Sequence, residues 1–482
     1  MACALRGVSI CGVEHRLAVY RYILMLTAVE GPRRMESAGK ETNCRTLASC
    51  ASGRLNSLQR TMLQWNSLHP YNAVHVVRIP ETLDMERLRE VINGTLEALG
   101  LTGLTLNRDK GAFCYRGGGA PWEIKSLPSG GDPLATICAE TEQQLNSAFA
   151  ESPQFNPFRF FVAATPDSFF LGLTYFHALA DAESILVILK HMVESYLGRR
   201  GQGYSTPIEL YPPCWDRLLS SHPRALVKKL ISLPALVRDM RSSCRPKYHD
   251  PMDLTNRFTH CSISARNLNF LVLTAKSLNV TVNDLFLALL MKCISTLASA
   301  RARSGRRSKI SVGCIVNVRK DLGADGRGRF GVFLGSFLVT HEVPNEMNLA
   351  LLADFVRRQT LRIKRDKLYL AASVELGFAR FMLRWFSPER RKKLYQKNYP
   401  LWGGITNMNL NSLWPQENSG RQVDYLRAVS TGPATPLVLS VTTVGQAANL
   451  GITYRQTVFS AADIQCIRDC FEEPRRQLGV WA

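Results

Sequence analysis

His177 and Asp181 stand at i and i+4 where an apolar run, Phe169-Phe-Leu-Gly-Leu-Thr-Tyr-Phe176, gives way to an amphipathic stretch that begins at Ala182. An imidazole at that junction, with an ordinary pKa of about 6.5, suits a general base near neutral pH. The aspartate one helical turn later can hold the turn that presents it. The spacing alone is unspecific, because the sequence contains it again at His249 and Asp253. That second pair lies in Arg245-Pro-Lys-Tyr-His-Asp-Pro-Met-Asp253, with no strand before it and no periodic helix after it, and is set aside. A lone histidine at a strand end is usually a structural one satisfied by its neighbours, so the elements around His177 must carry its assignment.

Those elements are legible. Residues 160–166 and 169–176 are rich in Phe, Val, Leu and Tyr around Thr165-Pro-Asp-Ser168, which predicts a hairpin that delivers His177 to its end. Downstream, Ile185, Leu186, Ile188, Leu189, Met192, Val193, Tyr196 and Leu197 recur at helical spacing until Gly198 stops the run.

Phe176-His177-Ala-Leu-Ala-Asp181-Ala182 resembles the His-His-x-x-x-Asp-Gly motif of the chloramphenicol acetyltransferase-like acyltransferases, which include peptide-synthetase condensation domains, wax ester synthases and alcohol acyltransferases. Further segments match in order. Leu278-Asn-Val-Thr281-Val-Asn283-Asp284 with the apolar run after it is similar to the segment that opens the C-terminal half of those enzymes. Ile315-Val-Asn317-Val-Arg319 resembles their V-N-x-R strand, and Ile405-Thr406-Asn407-Met-Asn409 their S/T-N-x-G strand. Leu450-Gly-Ile-Thr-Tyr-Arg455 with Phe459-Ser-Ala-Ala-Asp463-Ile fits their closing strand and helix. The first motif histidine is replaced by Phe176 and the glycine by Ala182, both positions where the superfamily varies.

The resemblance implies an α/β (α+β) fold of two chloramphenicol acetyltransferase-like subdomains, each a mixed sheet with helices, arranged as a pseudo-dimer around a central tunnel with His177 near its centre. It implies direct acyl transfer with His177 as base and no bound cofactor. The donor would be acyl-CoA or a phosphopantetheinyl acyl carrier protein, and the acceptor a small lipophilic hydroxyl or amine. Asp181 is then structural, paired with Arg319 to hold the histidine loop, while Thr406 or Asn407 donates to the oxyanion. Each residue also has a plainer reading: Arg319 as a solvated strand-end charge, Thr406 and Asn407 as ordinary strand polar groups, Asn283 and Asp284 as caps of the helix that follows.

With 482 residues the chain is long enough for two cores. The expected division is a flexible extension over 1–60, an N-terminal subdomain over 61–212, a basic crossover linker over 213–255 and a C-terminal subdomain over 256–482. Apolar content of 46% is ordinary, but the net charge of +21 is not. It points to an acidic partner: the phosphates of coenzyme A, a carrier protein or an anionic membrane surface. Nucleic acid is the rival, and no helix-turn-helix, zinc-finger or RNA-recognition pattern supports it. Phe378-Ala-Arg-Phe-Met-Leu-Arg384-Trp385-Phe386, followed by Arg390-Arg391-Lys392-Lys393, has the composition of an interfacial segment, or of a helix with a packed apolar side and solvated charges.

Thirteen cysteines include no Cys-x-x-Cys, which favours scattered reduced thiols in a cytoplasmic protein over a disulfide framework or a metal site. Val19–Val29 is apolar but short and broken by Arg21, so it predicts no membrane span. Gly326-Arg-Gly-Arg-Phe-Gly331 satisfies the dinucleotide-loop spacing, but a second strand follows it and no helix, so a turn is expected. Serine-hydrolase, Walker A and zinc-protease motifs do not occur. An acyltransferase acting as a monomer is the reading these features favour. A catalytically inactive binding protein on the same fold and a membrane-surface lipid-binding protein are the alternatives.

Overall fold

The computed structural model describes residues 51–118, 122–150, 156–198, 209–210, 222–299, 307–322, 329–343, 347–414 and 425–477. The expectations for the extension up to residue 50, the Val19–Val29 segment and Gly326 and Gly328 lie outside them.

Folded structure starts before residue 61, with β1 (Ala51–Arg54) and α1 (Ser57–Asn66). Asn56 and Gln59 begin α1 with a reciprocal capping box, each side chain accepting from the other's backbone N–H. Next come β2 (Asn72–Ile79), α2 (Met85–Ala98), β3 (Leu104–Asn107), β4 (Ala112–Tyr115), β5 (Ile124–Ser126) and α3 (Pro133–Asn146). The predicted hairpin is β6 (Phe158–Ala164) and β7 (Phe169–Phe176), antiparallel and closed where Thr165 N–H donates to the Ser168 carbonyl. The predicted helix is α4 (Ala182–Tyr196), and its apolar positions from Ile185 to Tyr196 are buried against β2, β7 and α2. Burying side chains of this size stabilises by about 1.5–3 kcal/mol each before entropy is counted.

After β8 (Glu209–Leu210), the stretch expected to be a linker contains the helix α5 (Pro223–Ser242), whose start is set by a proline at its first position. Then follow β9 (Arg257–Ile263), α6 (Ala265–Ser277), α7 (Val282–Ser299), β10 (Lys309–Asn317), β11 (Arg329–Phe330), β12 (Leu334–Glu342), α8 (Leu349–Arg365), α9 (Ala372–Leu383), α10 (Pro388–Asn398) and β13 (Gly403–Asn409). β14 (Tyr425–Val429), β15 (Leu437–Val444), β16 (Ala447–Tyr454) and α11 (Ala461–Glu472) complete the order.

Two mixed sheets give the fold two lobes. One has the order β14-β2-β7-β6-β5 and the other β12-β10-β13-β15-β16-β9, in which β10, β13 and β15 run parallel. The lobes are not divided at residue 256 throughout: β14 crosses back and pairs antiparallel with β2, placing Arg427 opposite His75. α7, buried along Leu285–Met291, is the centre of the second core.

The expectation of unpaired thiols fails at Cys114, Cys293 and Cys470. Cys293 on α7 and Cys470 on α11 form a disulfide across 177 residues and Cys114 is disulfide-bonded as well, while Cys138, Cys261, Cys314 and Cys466 are free thiols. Spacing rules read local pairs, and this pair is brought together by helix packing. Among the described residues no single helix is long and apolar enough to cross a membrane.

Candidate functional site

β7 ends at Phe176 and α4 begins at Ala182, so His177 occupies the short turn between them and is 5% exposed. Its Nδ1 lies 3.0 Å from the Ala180 carbonyl oxygen. A carbonyl only accepts, so Nδ1 carries the proton and Nε2 keeps its lone pair, the tautomer a base needs. Burial lowers the His177 pKa, against the raising effects of the Ala180 hydrogen bond and the Asp181 charge. The ring is therefore neutral at neutral pH. Tyr71 stacks beside it at 5.4 Å and 22°, and Tyr175 meets it edge-on at 5.6 Å and 89°.

Asp181 is the N-cap of α4 and accepts from Ser184 N–H at 3.0 Å. Arg319 closes on it with both ends of its guanidinium, Nη1 to Oδ2 at 2.7 Å and Nη2 to Oδ1 at 2.8 Å, and Phe333 N–H adds a bond at 2.9 Å. This is the bidentate geometry that distinguishes arginine from lysine. Burial alone would raise the Asp181 pKa, but the charge and hydrogen bonds of Arg319 hold it below the usual carboxylate value. The two residues are 1% and 4% exposed, so Arg319 is not a solvated strand-end charge. Its guanidinium also lies over the Phe333 ring at 4.4 Å.

The turn is pinned from further sides. Gln59 on α1 donates to the Ala178 carbonyl at 3.0 Å, and the Gly331 carbonyl accepts from Asp181 N–H at 2.9 Å and from the Ser184 hydroxyl at 3.0 Å. Phe176, where the motif has its first histidine, packs edge-on against Phe149 in the core, and His177 keeps its hydrogen bond without it.

Thr406 and Asn407 sit on β13, in register with Ser440 and Val441 of β15. The structure places the Thr406 carbonyl beside Arg427, whose Nη2 donates to it at 3.2 Å, and among the described residues neither side chain hydrogen-bonds His177. Asp284 helps to start α7 as expected, though from inside the helix: its carboxylate accepts from Thr281 N–H and hydroxyl and from Thr360. Asn283 instead donates to the Cys314 sulfur. His249 is exposed, and its backbone N–H bonds the Thr457 carbonyl.

Sequence reasoning missed a buried polar row beside His177. His75 has Nδ1 2.7 Å from the Tyr425 hydroxyl and Nε2 3.5 Å from the Tyr175 hydroxyl. Burial, with the Arg427 and His177 charges, takes its pKa well below the usual histidine value. The available signal was a polar residue inside each of two apolar runs, Ala73-Val-His75-Val-Val and Tyr425-Leu-Arg427-Ala-Val.

No protein-family model matches the chain, and no curated protein matches it in sequence. Solved structures do match it over most of its length. The first condensation domain of the calcium-dependent antibiotic synthetase, in complex with a substrate analogue, aligns with TM-score 0.64 at 13% identity over 89% of this chain and 96% of that one. The epimerization domain from the third module of tyrocidine synthetase B aligns with TM-score 0.60 at 12% identity over 91% and 98%. Polyketide synthase associated protein 5 from Mycobacterium tuberculosis aligns with TM-score 0.60 at 12% identity over 87% and 97%. The likeness is one of fold.

Proposed function

We propose that this chain, which has the two-lobed fold of condensation domains, is an acyltransferase that moves an acyl group from a thioester to a hydroxyl or amine. The observation that carries the reading is the state of His177: neutral, its Nδ1–H committed to Ala180, its Nε2 without a hydrogen-bond partner among the described residues, and its turn locked by the Asp181–Arg319 pair. Nε2 takes the proton from the acceptor as its oxygen or nitrogen bonds to the thioester carbon. The C–S bond then breaks, and the imidazolium returns the proton to the leaving thiolate. Ester or amide and free thiol are the products, with no acyl-enzyme needed when donor and acceptor meet at one base.

The +21 charge suits a donor presented by coenzyme A or an acidic carrier protein. Thr406 and Asn407 are the candidates for holding the oxyanion. We further assign the acceptor as lipophilic and the working place as the cytoplasmic side of an anionic membrane surface, because Phe381, Met382, Trp385 and Phe386 are exposed beside Arg384 and Arg390. The experiment is release of free thiol from acyl-CoA and from acyl-pantetheinyl carrier protein in the presence of alcohols and amines. Acceptor-dependent release by the native chain and its loss in His177→Ala is expected. No release with any pairing leaves the inactive binding protein as the reading.

A further inference from the structure

Among the described residues three arginines are buried: Arg319, Arg427 and Arg455, at 4%, 1% and 1% exposure. Two have acidic compensation. Arg319 holds the Asp181 carboxylate, and Arg455 bonds Thr431 and Gly432 within the field of Asp253. Arg427 has none. Its Nε donates to the Thr442 hydroxyl at 2.8 Å, and Nη2 donates to the carbonyls of Val441 at 2.7 Å and Thr406 at 3.2 Å. Its remaining nitrogen, Nη1, has no hydrogen-bond partner among the described residues. No carboxylate forms an ion pair with it there. A guanidinium does not shed its proton to escape burial, and removing its charge from water without a counter-charge is costly.

The surroundings hold a second spare donor. His75, directly opposite Arg427 in the β2–β14 register, is neutral, so one of its ring nitrogens carries a proton and the other accepts. One of the two tyrosine hydroxyls flanking it therefore donates to the ring, and the other receives from it. The tyrosine that receives, Tyr175 or Tyr425 according to the tautomer, keeps an uncommitted O–H. Tyr175 ties this row to the base, its ring contacting His75 at 5.5 Å and His177 at 5.6 Å. Two unspent donors, one fully charged, thus lie within one buried row that ends at His177.

We propose that Arg427 is a substrate-binding residue: the molecule that reaches His177 carries, besides its reacting group, a carboxylate that accepts from Nη1 of the Arg427 guanidinium. The assignment rests on the acyltransferase reading and names its substrate class. The carboxylate belongs either to a hydroxy- or amino-acid acceptor or to a dicarboxylic half-thioester donor, and isosteric acid and amide pairs separate the two sources.

Turnover of the full chain is measured by mass spectrometry. One arm compares 6-hydroxyhexanoate with 6-hydroxyhexanamide as acceptor and a neutral acyl-pantetheine donor. The other compares succinyl- with succinamoyl-pantetheine and a neutral alcohol. The native chain is expected to prefer the acid over its amide by about 10–100-fold in kcat/KM in one arm, the range of a charge-assisted hydrogen bond. R427Q should bring that ratio to about one, and R427K should retain part of it. Equal use of acid and amide in both arms by the native chain overturns the proposal, as does a preference that survives in R427Q. If R427Q does not fold, the native chain and R427K decide.

Melting of the native chain with each free acid and amide, without donor, separates the two ideas. Acid-selective stabilisation without turnover removes the acyltransferase reading and keeps the anion site. Turnover without acid preference does the reverse.

Discussion

At the scale of residues, the proposed chemistry rests on one nitrogen. His177→Ala is expected to slow the chemical step by about 10²–10⁴-fold with circular dichroism unchanged, while His249→Ala, exposed and outside the site, changes little. Equal losses in both variants would remove His177 from the reaction. The pH dependence has a definite sign. Burial lowers the His177 pKa, so the base form stays filled from neutral pH down past the ordinary 6.5 and protonates only below it. The kcat/KM profile should therefore be flat near neutrality and fall with an inflection below 6.5; an inflection at or above that value contradicts the burial of the ring. The sequence showed His177 because an imidazole after a mostly apolar run stands out, whereas Tyr71 reads as one more aromatic near Pro70 until the β2–β7 pairing places it on the ring.

At the scale of elements, the turn between β7 and α4 is held by contacts distant in sequence. Breaking one side of the Asp181–Arg319 pair leaves the other charge buried, which costs about 3–5 kcal/mol. Asp181→Ala and Arg319→Ala should each lower both the melting temperature and the turnover, and the double variant should be no worse than the worse single one. Additive losses in a double-mutant cycle would show that the two do not interact. The hairpin and α4 followed from alternation, a Pro-containing turn and helical spacing. Arg319 as the partner came only through the family resemblance, because nothing local to Ile315–Arg319 indicates what it faces.

At the scale of the whole molecule, two joints can be tested. Gly451 of β16 lies so close under β14 that a methyl group there would overlap the Arg427 carbonyl oxygen. Gly451→Ala should therefore push the two sheets apart at this point, costing roughly 1–3 kcal/mol or more and lowering the melting temperature. A stable, fully active variant would mean the close approach is not required.

The second joint is the proposed contact with a membrane surface. Trp385 is 74% exposed, and Arg384 lies over both the Phe381 and Trp385 rings. Arg391 instead bonds the carbonyls of Leu383, Arg384 and Phe386, and Lys392 bonds that of Met252, so these two serve the fold. The native chain should float with anionic vesicles at low salt and not at high salt. Changing Arg384, Arg390 and Lys393 together to Gln should abolish flotation, at about 1 kcal/mol for each charge. Flotation of that variant equal to the native chain would return the positive charge to coenzyme A or a carrier protein.

The sequence by itself determined what is decided locally: the hairpin, the helix after it, the histidine at their junction and the aspartate that caps the helix. Short-range alternation and helical spacing choose which faces are buried, and a capping residue needs only its own next turn. Tertiary structure alone decided which distant groups meet. The Arg319 partner of Asp181, the tyrosines around His177, the Cys293–Cys470 bond and the return of β14 to the first sheet all depend on packing and strand register across long separations. Arg427 shows the reason most clearly. In the sequence it is one of sixty basic residues, and only the pairing of β14 with β2 takes its charge out of water and leaves it without an acid.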